Sequence, residues 1–119
     1  MSTICLIPGD GVGREVIPAA AQVIAAALPH TRFVTAQAGW DCFVRSGTAL
    51  PQETVEAVRR TDATLFGATQ SPVTGATGQP GGPPSEGNGN TAVYRSPILT
   101  LRRVFDLYAN LRPASPLAP

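Results

Sequence analysis

The chain of 119 residues holds one domain at most, and with 43% hydrophobic residues it can bury a core, which excludes a disordered polymer. Charged residues make up 14% and the formal net charge is +1, which excludes the clustered basic face that nucleic-acid binding needs. No apolar run approaches the roughly 20 residues that span a bilayer, and Met1-Ser2-Thr3 lacks the basic start of a secretory signal, so a cytoplasmic protein with no nucleic-acid or membrane partner is expected.

Thr3-Ile4-Cys5-Leu6-Ile7 is an apolar run rich in β-branched residues and reads as a buried strand. Pro8-Gly9-Asp10-Gly11-Val12-Gly13 ends it in a glycine turn. From 14 to 28, Val16, Ile17, Ala20, Val23, Ile24 and Ala27 recur at spacings of three and four, which predicts a helix with one apolar face. Pro18 falls near its start, where a missing N–H is tolerated, and Pro29 and His30 close it, His30 as a C-terminal cap. Residues 32–38 alternate as a half-buried strand does, and 41–45 form a short helix stopped by Ser46-Gly47. A helix runs from Pro51 to Arg60, with Glu53 at its positive end. Residues 63–68 are a third buried strand, and the order β-α-β-α-β implies parallel pairing in a layered α/β fold.

The composition then changes. Of the twelve glycines and twelve prolines, six and four lie between 70 and 91, which predicts a flexible loop at about 73–92. Ser96-Pro97 reads as an N-cap with proline at the first helical position, and a helix over 98–104 carries Arg102 and Arg103. Residues 106–111 read as a further strand ended by Arg112-Pro113, and the tail has no element of its own.

The glycine turn follows a strand and opens a helix, the setting of a phosphate-binding turn. Its spacing is wrong for a dinucleotide fingerprint, since Arg14 stands where the last glycine belongs, and no Gly-Lys-Ser/Thr is present. A purely structural turn fits as well. Arg102 and Arg112 sit on a helix and at the end of the following strand, so their guanidiniums can face one crevice. An arginine fork matches a carboxylate, and two forks with the Ser96 hydroxyl would hold a di- or tricarboxylic acid. By pattern alone, solvated surface arginines account for this better. Cys5 and Cys42 form neither a CxxC pair nor a disulfide framework, and Asp10, Asp41, Asp62 and Asp106 lack metal-ligand spacing. All nine basic residues are arginine, so a reaction that needs a lysine proton donor is incomplete in this chain.

Leu6-Ile7-Pro8-Gly9-Asp10-Gly11-Val12-Gly13-Arg14-Glu15-Val16 resembles the opening of the decarboxylating β-hydroxyacid dehydrogenases, the isocitrate/isopropylmalate dehydrogenase-like family. Leu107-Tyr108-Ala109-Asn110-Leu111-Arg112-Pro113 is similar to that family's second signature, and the resemblance spans essentially residues 1–119 as an N-terminal portion. Ala38-Gly39-Trp40-Asp41-Cys42-Phe43, Leu65-Phe66-Gly67-Ala68-Thr69-Gln70-Ser71-Pro72 and Ser96-Pro97-Ile98 resemble the homoisocitrate branch.

The resemblance implies a layered α/β isopropylmalate dehydrogenase-like fold that is not a Rossmann fold. It implies NAD-dependent oxidation of a 2-hydroxy polycarboxylic acid followed by loss of carbon dioxide, with homoisocitrate on the aminoadipate route to lysine as the substrate. 3-Isopropylmalate, isocitrate and tartrate or malate are alternatives, and a non-catalytic truncated product or binding subunit is another. Arg102 and Arg112 would grip substrate carboxylates, with Ser96 and Ser71 beside them. Thr69, Gln70 and Ser71 would line the nicotinamide end of the NAD site, and the glycine turn would support it. A divalent Mg²⁺ or Mn²⁺, the tyrosine and lysine that handle protons, and the adenosine site are expected beyond residue 119, with no catalytic or metal residue in this chain. Dehydrogenase activity is therefore not expected of the chain alone, and a homo-oligomer is expected of a full-length form. Some homoisocitrate enzymes resemble this chain but place an arginine where Leu99 stands.

Overall fold

The computed structural model describes residues 1–70 and 94–115. The expected loop at 73–92 lies outside the described residues, as does Ser71. β1 (Thr3–Ile7) is the middle of a three-stranded sheet ordered β2-β1-β3. It pairs in parallel with β2 (Arg32–Thr35), Cys5 facing Val34, and with β3 (Ala63–Phe66), Cys5 facing Thr64. A strand flanked on both edges and covered on both faces carries an unbroken apolar run. That is why Thr-Ile-Cys-Leu-Ile occupies the centre, with Cys5 and Ile7 wholly buried. Burial also pushes the Cys5 thiol above its ordinary range, so it acts as a small core residue. β2 and β3 each stop short of the expected 38 and 68, because the chain leaves the ladder to build loops at the strands' carboxyl ends.

α1 (Gly13–Ala27), α2 (Trp40–Ser46) and α3 (Gln52–Arg59) link the strands in the expected order. α1 buries Gly13 and Ile17, with Ala20 and Ile24 half-buried beyond them. The expected apolar face is therefore too wide: Val16 and Val23 lie on its flanks, 53% and 70% exposed. Pro18 sits in the second turn, so the Arg14 carbonyl lacks one helical donor while the helix continues to Ala27. The helix closes with the Leu28 amide donating to the Ile24 carbonyl at 2.7 Å, and exposed His30 makes no capping bond among the described residues. In α3, Pro51 is the N-cap and not a first-turn residue. Thr54, 1% exposed, satisfies its hydroxyl on the Gln37 carbonyl at 2.7 Å and fastens the helix to the segment after β2.

α4 (Pro97–Val104) lays Pro97 and Leu101, one turn apart, against the sheet. Leu101 joins Cys5, Ile7 and Ala38 in the core, with Phe105 packed beside them. Pro97 takes the first helical position as expected, but the Ser96 hydroxyl makes no cap bond; the Ser96 carbonyl accepts instead from the Thr100 amide and hydroxyl.

The strand expected over 106–111 is absent from the described residues. The Leu107 amide returns to the Arg102 carbonyl at 2.9 Å and the Asp106 amide to Arg103, with Asp106 left-handed at φ +50. That is a Schellman stop, which aspartate tolerates, and it spends the amides a strand would need. The chain beyond pairs with no strand, so Leu107, Tyr108 and Leu111 are 55%, 99% and 88% exposed.

Candidate functional site

β1 is the point at which the strand order reverses: α1 leads to β2 on one side, and α2 with α3 leads to β3 on the other. In open parallel sheets, ligands bind in the crevice outside the carboxyl ends of the strands at such a point. Here that crevice is bounded by the turn after β1 and the segment after β3, Gly67 to Gln70. The two are joined by the Asp10 amide donating to the Ala68 carbonyl at 2.7 Å. They approach so closely that a side chain at Gly9, φ +74, would overlap the Ala68 carbonyl.

Asp10 organises this crest. It is 3% exposed, and its carboxylate accepts three backbone amides: Trp40 at 2.7 Å, Asp41 at 3.0 Å and Gln70 at 2.8 Å. Two of these are first-turn amides of α2, which offer no internal partner and favour a negative charge. Gly39 permits this approach, since at φ +117 a Cβ there would overlap the Asp10 carboxylate. One buried carboxylate thus fixes α2 and the segment after β3 relative to β1. Its sequence signal is slight, an acid in a glycine turn just after a buried strand, and spacing alone did not single it out.

Trp40 and Phe43 of α2 stack on one another, ring centroids 5.5 Å apart, and both meet Tyr94 edge-on at 5.4 and 5.5 Å. The Tyr94 hydroxyl donates to the Gln70 carbonyl at 3.1 Å. Burial, then the Asp10 charge, push the Tyr94 phenol above its ordinary 10.0, against a smaller lowering by the Thr69 hydrogen bond. The proton is therefore held more tightly folded than unfolded. Its stabilisation is complete below the unfolded value of about 10 and is lost as pH rises through the folded value. Replacing Tyr94 by Phe should remove a phenolate absorbance step that comes later than that of free tyrosine. A removed step at or below the free value would refute this.

Thr69 is half-buried and Gln70 exposed, both in the segment that follows β3. Ser96 and Arg102, at opposite ends of α4, are half-buried, whereas Arg112 is exposed on the extended segment after it. Among the described residues no hydrogen bond or ion pair holds the Arg102 or Arg112 guanidinium, and none links either to Ser96 or Thr69. The expected pairing of the two arginines thus has no contact behind it in the described residues. A cleft of about 580 Å³ opens beside the ends of β1 and β2, walled by Gly9 and Asp10 of the turn after β1 and by Arg14, Gln37, Asp41 and Arg45. Arg14 pairs with Asp41, Arg45 donates to the neutral Gln37 carboxamide oxygen at 2.7 Å, and none of Thr69, Gln70, Ser96, Arg102 and Arg112 lines it. Among the described residues no three His, Cys, Asp or Glu converge to hold a metal ion, and no helix is long and apolar enough to cross a membrane.

A parallel α/β layer with its loops gathered at the strands' carboxyl ends defines the class of molecule; the comparisons with known proteins narrow it. Residues 3–119 match the isocitrate/isopropylmalate dehydrogenase family, to which the chain belongs. It is 48% identical over 93% of its length to the isocitrate/homoisocitrate dehydrogenase of Thermus thermophilus, covering 29% of that protein. It is 40% identical over 95% to the homoisocitrate dehydrogenase of Methanocaldococcus jannaschii, covering 28%. It is 42% identical over 96% to the 3-isopropylmalate dehydrogenase of Methanothermobacter thermautotrophicus, covering 28%. The β-decarboxylating dehydrogenase of Thermococcus kodakarensis superposes with a TM-score of 0.70 at 38% identity, over 91% of this chain and 28% of that one. The chain thus spans between a quarter and a third of the length of these relatives.

Proposed function

We propose that the chain is the N-terminal part of a homoisocitrate-type dehydrogenase, with NAD-dependent oxidative decarboxylation of a 2-hydroxy polycarboxylic acid as the activity of the whole. The observation that carries this reading is the crest: the segment after β3 is fixed at the carboxyl end of β1, with Thr69 and Gln70 at the crevice. These side chains offer a hydroxyl and a carboxamide, which suit the carboxamide of a nicotinamide ring. NAD, when bound, accepts the hydride from the substrate carbinol. Thr69, Gln70 and Ser71 would hold the nicotinamide end, and Ser71, Ser96, Arg102 and Arg112 would bind the substrate. A guanidinium with no protein partner among the described residues, on a half-buried residue such as Arg102, is suited to a carboxylate from outside.

The described residues do not themselves form a divalent-cation site, and no step is derived through Mg²⁺ or Mn²⁺, whose ligands the family resemblance puts beyond residue 119. The homoisocitrate assignment leans on the Trp40, Gln70 and Ser96 segments and on the 48% identity to the Thermus thermophilus protein; the homoisocitrate and 3-isopropylmalate dehydrogenases at 40% and 42% do not separate the two acids. Residues 1–119 should replace the matching part of the Thermus thermophilus relative in a chimera. NADH formation is expected with homoisocitrate ahead of isocitrate, 3-isopropylmalate, tartrate and malate, and none from the 119-residue chain alone. A chimera that prefers 3-isopropylmalate would overturn the substrate, and one that folds but turns over no acid would overturn the enzyme reading.

A further inference from the structure

Gln70 is held at both faces of its backbone by side chains from distant parts of the chain. Its N–H donates to the Asp10 carboxylate at 2.8 Å, and its carbonyl accepts from the Tyr94 hydroxyl at 3.1 Å. The contacts close on themselves. Asp10 holds the Trp40 and Asp41 amides; Trp40 and Phe43 hold the Tyr94 ring; Tyr94 holds the Gln70 carbonyl; and the Gln70 amide returns to Asp10. The side chain of Gln70 is left exposed while its main chain is fixed. A side chain must be held within a fraction of an ångström by what supports it if it is to orient a ligand.

We infer that Tyr94 is a positioning residue: with Asp10 it clamps the Gln70 peptide and aims the Gln70 side chain at the nicotinamide end of the cofactor. This rests on the proposed cofactor role of Gln70. Neither Tyr94 nor Asp10 touches the cofactor in this scheme; each acts through Gln70. The aromatic contacts place the hydroxyl and the hydroxyl fixes the carbonyl, so the two parts of Tyr94 separate experimentally. Tyr94→Phe keeps the ring against Trp40 and Phe43 and removes only the hydroxyl, with its bond to the Gln70 carbonyl and its contact with Thr69.

The test uses the chimera in which residues 1–119 replace the matching part of the Thermus thermophilus relative, isotopically labelled, and reads amide exchange and NADH-induced shifts by NMR. In Tyr94→Phe the Gln70 amide should exchange about fivefold faster, the effect of one lost neutral hydrogen bond, while the core amide of Ile7 is unchanged. The NADH-induced shift of the Gln70 side-chain amide should need a several-fold higher NADH concentration. Unchanged Gln70 exchange would show that there is no clamp. Faster exchange with an unchanged NADH response would make Tyr94 merely structural and overturn the positioning role. An unmodified chimera in which NADH moves neither Thr69 nor Gln70 would remove the cofactor reading, and the positioning role with it, while exchange still reports whether the clamp exists.

Discussion

Replacing Asp10 by Ala should cost the chain about 4 kcal/mol, which is a large share of the roughly 5–15 kcal/mol that holds a domain together. The carboxylate is buried and satisfies the amides of Trp40, Asp41 and Gln70; alanine leaves all three without a partner in a place water reaches poorly. Each charge-assisted bond of this kind contributes about 1.5–3 kcal/mol, and three that share one acceptor do not add in full. Asp10→Asn is the graded version. Its carboxamide can accept at one end only, and its own N–H₂ then faces a backbone N–H, so about half the loss is expected. Urea denaturation followed through Trp40, the single tryptophan, measures both. A loss under about 1 kcal/mol for the alanine variant would mean that water replaces the carboxylate and that Asp10 is not the fastening point.

The second large effect concerns turnover. In the chimera, Arg102→Leu should lower kcat/KM for homoisocitrate about a hundredfold, the fold-change expected when one charge-assisted carboxylate contact is lost. Arg102 sits next to Leu101, whose side chain is in the core; the residue is half-buried and its guanidinium has no protein partner among the described residues. Arg103, the next residue, is exposed. Arg103→Leu therefore serves as the control and should stay within about threefold, as expected for a solvated charge. Equal losses at the two positions would point to general charge steering, not to a specific grip. No loss at Arg102 would remove it from the substrate site.

The elements that could be read in the sequence are those with a local cause. Thr-Ile-Cys-Leu-Ile declares a central strand because burial on both faces demands apolar residues without a break. The helix starts at Pro51 and Pro97 follow from proline's fixed φ. The misreadings have physical causes too. The apolar residues of 106–111 look like a strand, but a ladder needs a neighbour. Asp106 instead turns left-handed and closes α4. Val16 and Val23 fit a helical stripe, yet only a narrow line through Gly13 and Ile17 meets the sheet. At the site, the segment carrying Thr69 and Gln70 follows β3 and is tied to the turn after β1 by the Asp10 contacts, while a ligand role for the two side chains is a proposal. Asp10 was visible only as a scattered acid, since its partners lie 30, 31 and 60 residues away and no spacing rule spans such separations. Tyr94 was missed for the same reason.

The strand order also has a consequence for how the chain acquires its structure. β1 is made first but pairs only with strands that come later, beginning at Arg32 and Ala63, so no hairpin can start the sheet. Every ladder has a high contact order, which slows folding. At ribosomal rates of about 5–20 residues per second, the most apolar strand waits roughly 3–12 s for its second neighbour. During that interval Ile4, Leu6 and Ile7 are a β-prone segment with at least one edge open, and they would be the natural first contact for a holdase chaperone during synthesis.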